Sequence, residues 1–150
     1  MTNVLQLTSK TTVYMKSKIL LADDDRIILA MHQAILKLSN LDLDVQAFED
    51  GEPLLDFLLN KSDPYTHYII LLDLNLPKVS GFDVLVELEA LKEKVFTSVI
   101  VVSSSDHQYD KIRSMDFKFV KEYITKPFRI GYLAKIEALI NHELKKKLSA

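Results

Sequence analysis

Five short apolar runs in this chain each stop at a polar residue, and a stretch with helical spacing follows each of them. No other feature limits the fold as much. The runs are Lys18–Ala22 (KILLA), Leu43–Phe48, Tyr68–Leu72 (YIILL), Ser98–Val102 (SVIVV) and Glu122–Thr125 (EYIT). YIILL is apolar throughout, as a strand covered on both faces should be. Leu43–Phe48 alternates and suits a half-buried strand. Parallel strands need crossover connections, so strict alternation with helices demands a parallel sheet covered on both sides.

The helical stretches carry apolar stripes. The first is read as Ile27, Ile28, Met31, Ala34, Ile35 and Leu38, and an Asp from the run before it can cap its first turn. Asp50-Gly51 is a turn signal, and Pro53 opens a second helix with Leu54, Leu55, Phe57, Leu58 and Leu59. The third presents Phe82, Leu85, Leu88 and Leu91. A weaker, polar helix spans Asp106–Met115, and the last runs from about Ile130 to Leu148 with Leu133, Ile136, Ile140 and Leu144 inward. Right-handed crossovers leave few topologies. The expected fold is α/β, a doubly wound five-stranded parallel sheet in the flavodoxin-like order 2-1-3-4-5, with helices on both faces. Its ligand crevice lies beyond the carboxyl ends of strands 1 and 3.

The chain has 150 residues, the size of one domain. Residues 1–17 are Thr/Ser/Lys-rich and read as an extension; 18–148 read as the domain. Met15-Lys16-Ser17-Lys18 stands where such a domain would naturally start, so Met15 is a candidate native start. The formal net charge of −2 gives no bulk attraction to nucleic acid. The Lys145-Lys146-Lys147 cluster reads as a solvated helix end. Without cysteine, neither disulfides nor thiolate metal sites are possible. No apolar run approaches the roughly 20 residues that span a bilayer, and the chain is read as soluble and cytoplasmic. His32, His67, His107 and His142 show no ligand spacing, and surface or capping roles are expected for all four.

The fold brings the polar run-ends together. Asp23, Asp24 and Asp25 follow the first strand, Asp73 the third, Ser103 the fourth and Lys126 the fifth. Taken singly, an Asp run before a helix is a cap, Ser103-Ser104-Ser105 is a turn, and Lys126 before Pro127 is an exposed turn residue. Together they crowd carboxylates into one crevice, where mutual repulsion raises their pKa values. A hard divalent cation such as Mg²⁺ relieves that repulsion. A carboxylate can also attack phosphorus and form an aspartyl-phosphate. The set therefore points to metal-assisted phosphoryl transfer to a carboxylate.

The stretches KILLADDDRIIL, YIILLDLNLPKVSGFDVL, SVIVVSSS and EYITKPF resemble the receiver domains of two-component response regulators, from about Ser17 to the C-terminus. The resemblance implies a stand-alone signalling switch rather than an enzyme. It implies Asp73 as phosphoacceptor, with Asp23 and Asp24 holding Mg²⁺ and Asn75 offering a backbone carbonyl. It implies Ser103 as switch hydroxyl, Lys126 as phosphate partner and Tyr123 as switch aromatic. Lys126-Pro127 is expected to be cis. The implied partners are a histidine kinase or histidine phosphotransfer protein and an unidentified protein target, with no nucleic acid and no membrane. The expected state is a monomer or a phosphorylation-linked dimer.

Some residues depart from the family's pattern. Ser104 is larger than is common there and would narrow access to the phosphoryl group. MDFKFVKEY has Phe117, Phe119 and Val120 where Gly-Ala is common, and an exposed Phe there would mark a partner contact. Gly131 weakens the start of the last helix. The alternative reading is a receiver-fold binding module that acts without phosphorylation. A phosphatase of the haloacid-dehalogenase type would want a second Asp where Asn75 stands. A nucleotide-binding domain would want glycines where Asp23–Asp25 stand.

Overall fold

The computed structural model describes residues 2–6, 12–104 and 107–149, with side chains placed over 16–104 and 107–142. The elements are β1 (Thr2–Gln6), β2 (Thr12–Ala22), α1 (Arg26–Leu36), β3 (Asp44–Phe48), α2 (Gly51–Asn60), β4 (Thr66–Leu72), α3 (Gly81–Leu91), β5 (Phe96–Ser103), α4 (Gln108–Met115), β6 (Val120–Thr125) and α5 (Leu133–Ser149). A 3-10 turn, Ile130–Tyr132, leads into α5 where a continuous helix from Ile130 is expected. The Lys126-Pro127 peptide is cis. Leu144 and Lys145–Lys147 lie outside the residues whose side chains are described.

Five strands run parallel in the order β3-β2-β4-β5-β6, which is 2-1-3-4-5 when they are numbered among themselves. The addition is β1. It pairs antiparallel with the first half of β2, from Thr2↔Lys16 to Gln6↔Thr12. β3 pairs with the second half, Lys18 to Ala22. Lys16 is paired with both β1 and β4, so β1 and β3 lie end to end along one side of β2. The first strand thus begins six residues before Lys18, at Thr12. Its short apolar start, Val13-Tyr14-Met15, is cut off from KILLA by Lys16 and Ser17.

Alternate residues of the central strands feed two cores, because successive strand side chains point to opposite faces. Leu20, Ile70, Leu72, Val99 and Val101 pack with Leu54 and Leu58 of α2 and Val84, Leu85 and Leu88 of α3. Ile19, Leu21, Ile69, Leu71, Ile100 and Val102 pack with Leu29 and Leu36 of α1 and Leu133, Ile136 and Ile140 of α5. Each fully buried aliphatic side chain contributes about 1.5–3 kcal/mol. The two cores hold the sheet rigid, and its carboxyl edge becomes a fixed platform.

The phase of α1 differs from the expected one. Leu29, His32 and Leu36 face inward, while Ile27, Met31 and Leu38 are exposed. Apolar residues populate both sides of this helix, so spacing alone fits more than one phase. Leu59 of α2 is exposed too. The surface role expected for the histidines fails at two of them. His32 is buried edge-on to Phe128, with ring centroids 5.4 Å apart. His67 is buried on Phe96 at 4.1 Å, its Nε2 sharing a hydrogen bond with Ser98 Oγ at 2.8 Å. Phe117 and Phe119 are half-buried against the α2–α3 core rather than exposed.

Candidate metal centre

Sheet hydrogen bonding continues one residue past the strands and pins the polar residues there. Asp23 N–H donates to Phe48 O at 3.1 Å, Asp73 N–H to Ala22 O at 2.9 Å, and Lys126 N–H to Ser103 O at 2.8 Å. The backbone of each site residue is thereby tied to the neighbouring strand. The expected convergence is real for Asp23, Asp24, Asp73 and Lys126. One carboxylate oxygen from each of the three aspartates lies within 4.8 Å of the others.

Lys126 reaches between two of them. Its Nζ lies 2.5 Å from Asp23 Oδ2 and 2.9 Å from Asp73 Oδ2. The other oxygens are also held: Asp25 N–H donates to Asp23 Oδ1 at 2.9 Å, and Asn75 N–H to Asp73 Oδ1 at 3.0 Å. Asp23 and Asp73 are buried, and Asp24 is exposed. Ser103 is fully buried at the end of β5, next to exposed Ser104. Tyr123 is half-buried against the α2–α3 core. Asp25 is the α1 cap, accepting from Ile27 N–H at 2.9 Å and Ile28 N–H at 3.3 Å.

Burial pushes the Asp73 carboxyl above its ordinary range; the Asn75 N–H and the Lys126 ammonium pull it back only partly, and the Asp23 charge adds to the rise. Burial alone would lower Lys126, but its hydrogen bonds and charge contacts with Asp23 and Asp73 win, and its pKa is raised. The His32 pKa is lowered mainly by burial; Asp23 draws it up and Lys126 drives it down. Three carboxylates against one ammonium leave an excess of negative charge on oxygen ligands. That donor set fits a hard divalent cation such as Mg²⁺, which takes one or two carboxylates and keeps several waters. Asp23, Asp24 and Asp73 would hold it.

Two contributors escape the sequence reading. His32 is buried against Phe128 and feels the charges of Asp23 and Lys126, and its burial could not be read from an apolar stripe taken in the wrong phase. Asp50 caps α2 instead of making an isolated turn, and its carboxylate crosses to the loop after Asp73. A polar pocket of about 630 Å³ opens near the other end of β2 and β4. Its lining Lys16, Lys18 and Lys61 are balanced by Asp42, Asp44 and Asp63, and it does not include the acidic cluster.

Residues 19–137 match the family model described as the response regulator receiver domain. Curated relatives include the response regulator ArlR of Staphylococcus saprophyticus, 30% identical over 88% of this chain and 56% of that protein. The cell cycle response regulator CtrA of Brucella ovis is 36% identical over 82% of this chain and 50% of its own length. The chain thus spans about half the length of the curated relatives it matches. Among solved structures, the phosphorylated cyanobacterial phytochrome response regulator RcpA is 33% identical, with a TM-score of 0.64 over 81% of this chain and 88% of that one. The Mn²⁺-bound response regulator Rcp1 is also 33% identical, with a TM-score of 0.62 over 81% and 88%. A CheY-like receiver protein of Methanospirillum hungatei, 23% identical with a TM-score of 0.72 over 88% and 98%, shares the fold.

Proposed function

The chain belongs to the response regulator receiver family, and on that premise we propose that it accepts a phosphoryl group on Asp73 with Mg²⁺ and thereby switches a protein-binding surface or relays phosphate onward. The observation that carries this reading is the Lys126 ammonium set between the buried Asp23 and Asp73 carboxylates at the ends of three strands. The phosphorylated RcpA and Mn²⁺-bound Rcp1 structures support both halves of it by likeness.

In this reading a histidine kinase or phosphotransfer protein presents phosphohistidine. An Asp73 carboxylate oxygen attacks phosphorus in line; the P–N bond breaks as the P–O bond forms, and the imidazole leaves with the electron pair. Lys126 moves from carboxylate to phosphoryl oxygen and stabilises the charge that develops there. Asp23, Asp24, Asp73 and the Asn75 carbonyl would hold Mg²⁺, which would supply further charge neutralisation. Ser103 then donates its hydroxyl to the phosphoryl group, and Tyr123 turns inward behind it, biasing a two-state surface. Residues 18–148 are taken as the receiver, and 1–17 as an extension that supplies β1 and the first part of β2 to its sheet. The protein acts in the cytoplasm, as a monomer or a phosphorylation-linked dimer. Among the described residues no helix is long and apolar enough to cross a membrane.

Acetyl phosphate with Mg²⁺ should label the protein, and chelation should abolish labelling. Beryllofluoride with Mg²⁺ should shift the amide signals of Ser103 and Tyr123. Unchanged labelling of Asp73→Asn would remove Asp73 as the acceptor.

A further inference from the structure

The loop from Asp73 to Ser80 carries the acceptor and Asn75, and it is tied across its base and again near its carboxyl end. Across the base Gly81 N–H donates to Leu74 O at 3.0 Å. A Cβ on Gly81 would stand 2.5 Å from both Asp73 O and Leu74 Cα, so only glycine permits this approach. Near the carboxyl end the second tie is Asp50, from a different part of the chain. Its Oδ1 accepts from Val79 N–H at 3.1 Å and its Oδ2 from Lys78 N–H at 3.2 Å. The backbones also touch there: a Cβ on Gly51 would meet Val79 O at 2.5 Å.

Asp50 can reach across because of the residues that follow it. A helix cap ordinarily accepts from the second or third N–H of its helix, as Asp25 does at Ile27 and Ile28. The third residue of α2 is Pro53, which has no N–H. Asp50 takes only the Gly51 N–H within α2, at 2.7 Å, and the rest of its carboxylate capacity goes to the loop. Asp50 is also two residues past Phe48, whose carbonyl holds Asp23. One short segment therefore fixes the backbone on both sides of the acidic cluster.

We infer that Asp50 is a positioning residue for the metal centre: it holds the Asp73–Ser80 loop so that Asp73 and Asn75 stand ready for a divalent cation. This rests on the reading of that cluster as a Mg²⁺ site. Asp50 is not one of the three carboxylates of the cluster and acts on them only through the loop backbone.

The test is isothermal titration of Mg²⁺ into wild type, Asp50→Ser and Asp50→Asn, with thermal melts alongside. Serine caps a helix as well as aspartate, but its oxygen is one bond shorter and cannot span to Val79 and Lys78. Asparagine keeps one acceptor for Gly51 and Val79 and loses the one for Lys78. Loss of an outer-shell partner bonded directly to a ligand typically weakens metal binding 10–100-fold, and Asp50, acting one step further out through the loop, belongs at the low end of that range. Asp50→Ser should raise the Mg²⁺ dissociation constant about tenfold, and Asp50→Asn should fall between it and wild type. The Mg²⁺ concentration that half-saturates acetyl phosphate labelling should rise in parallel, with the saturated rate retained. If both variants bind Mg²⁺ as tightly as wild type, whatever their melting temperatures, Asp50 is a helix cap only and the inference is overturned. If wild type itself binds no Mg²⁺, the metal reading fails first and the inference falls with it.

Discussion

Asp73 sits where its charge is least welcome. Burial disfavours the ionised form, and the combined pull of Asn75 and Lys126 does not fully offset that. A carboxyl whose folded pKa is raised adds stability below its ordinary value near 3.8; that stability is lost as pH rises through the folded value. At neutral pH the ionised Asp73 is thus a net cost to the metal-free protein. Asp73→Asn removes the charge at nearly the same shape. In the presence of chelator it should melt above wild type by roughly 2–4 °C, the shift that about 1 kcal/mol produces in a chain of this size. Saturating Mg²⁺ should reverse the order, because a ligand stabilises only the protein that binds it. Differential scanning calorimetry with and without Mg²⁺ checks both halves, and a lower melting temperature for the metal-free variant would contradict the account. Asp73 was legible in the sequence because it ends an apolar run, and the ends of such runs converge. Asp50 was not, since its partners Lys78 and Val79 lie 28 and 29 residues away and are met through backbone N–H groups that leave no mark in the sequence.

At the scale of the element, α1 shows how a helix can be read correctly and its orientation missed. Its existence and its Asp25 cap follow from residue type and spacing. Its facing does not, because Ile27, Met31 and Leu38 form as good a stripe as Leu29 and Leu36. What decides is the surface waiting for it. Leu29 and Leu36 join Ile19, Leu21, Ile69 and Phe128, while Ile27 is 72% and Met31 47% exposed. Leu36→Ala should therefore cost about 2–5 kcal/mol. Ile27→Ala and Met31→Ala should stay within about 0.5 kcal/mol of wild type, as surface changes do. Urea denaturation of the three variants separates the two phases; a cost at Ile27 comparable to that at Leu36 would show that α1 is turned the other way. The strand β1 escaped for a different reason. An edge strand that pairs through its backbone needs no continuous apolar run, and the Thr2–Gln6 segment has none.

For the whole molecule, Lys126 connects regions far apart in the chain. It follows β6, yet its ammonium lies against residues that follow β2 and β4, so it closes the carboxyl edge of the sheet. Its pKa is raised, and a lysine with a raised folded pKa adds stability that is full below its ordinary value of 10.5 and vanishes as pH climbs through the folded value. The metal-free protein should lose stability on the alkaline side of that value, and Lys126→Met should lack that alkaline limb. Denaturation followed between neutral pH and the alkaline limit measures both curves; parallel curves would mean that the ammonium does not couple the strands. The parallel sheet and its order were legible because crossover geometry leaves so few choices, whereas the antiparallel addition obeys no such rule. That addition has a consequence for how copies of the protein meet one another. A bare run of strand backbone is a template on which another chain can crystallise its own strand, the first step toward aggregation. Along β2, the stretch Thr12–Lys16 extends below the reach of β3 and would be such a template. β1 occupies that side of it from within the same chain, so the edge open to another strand moves outward to the short Thr2–Gln6 segment.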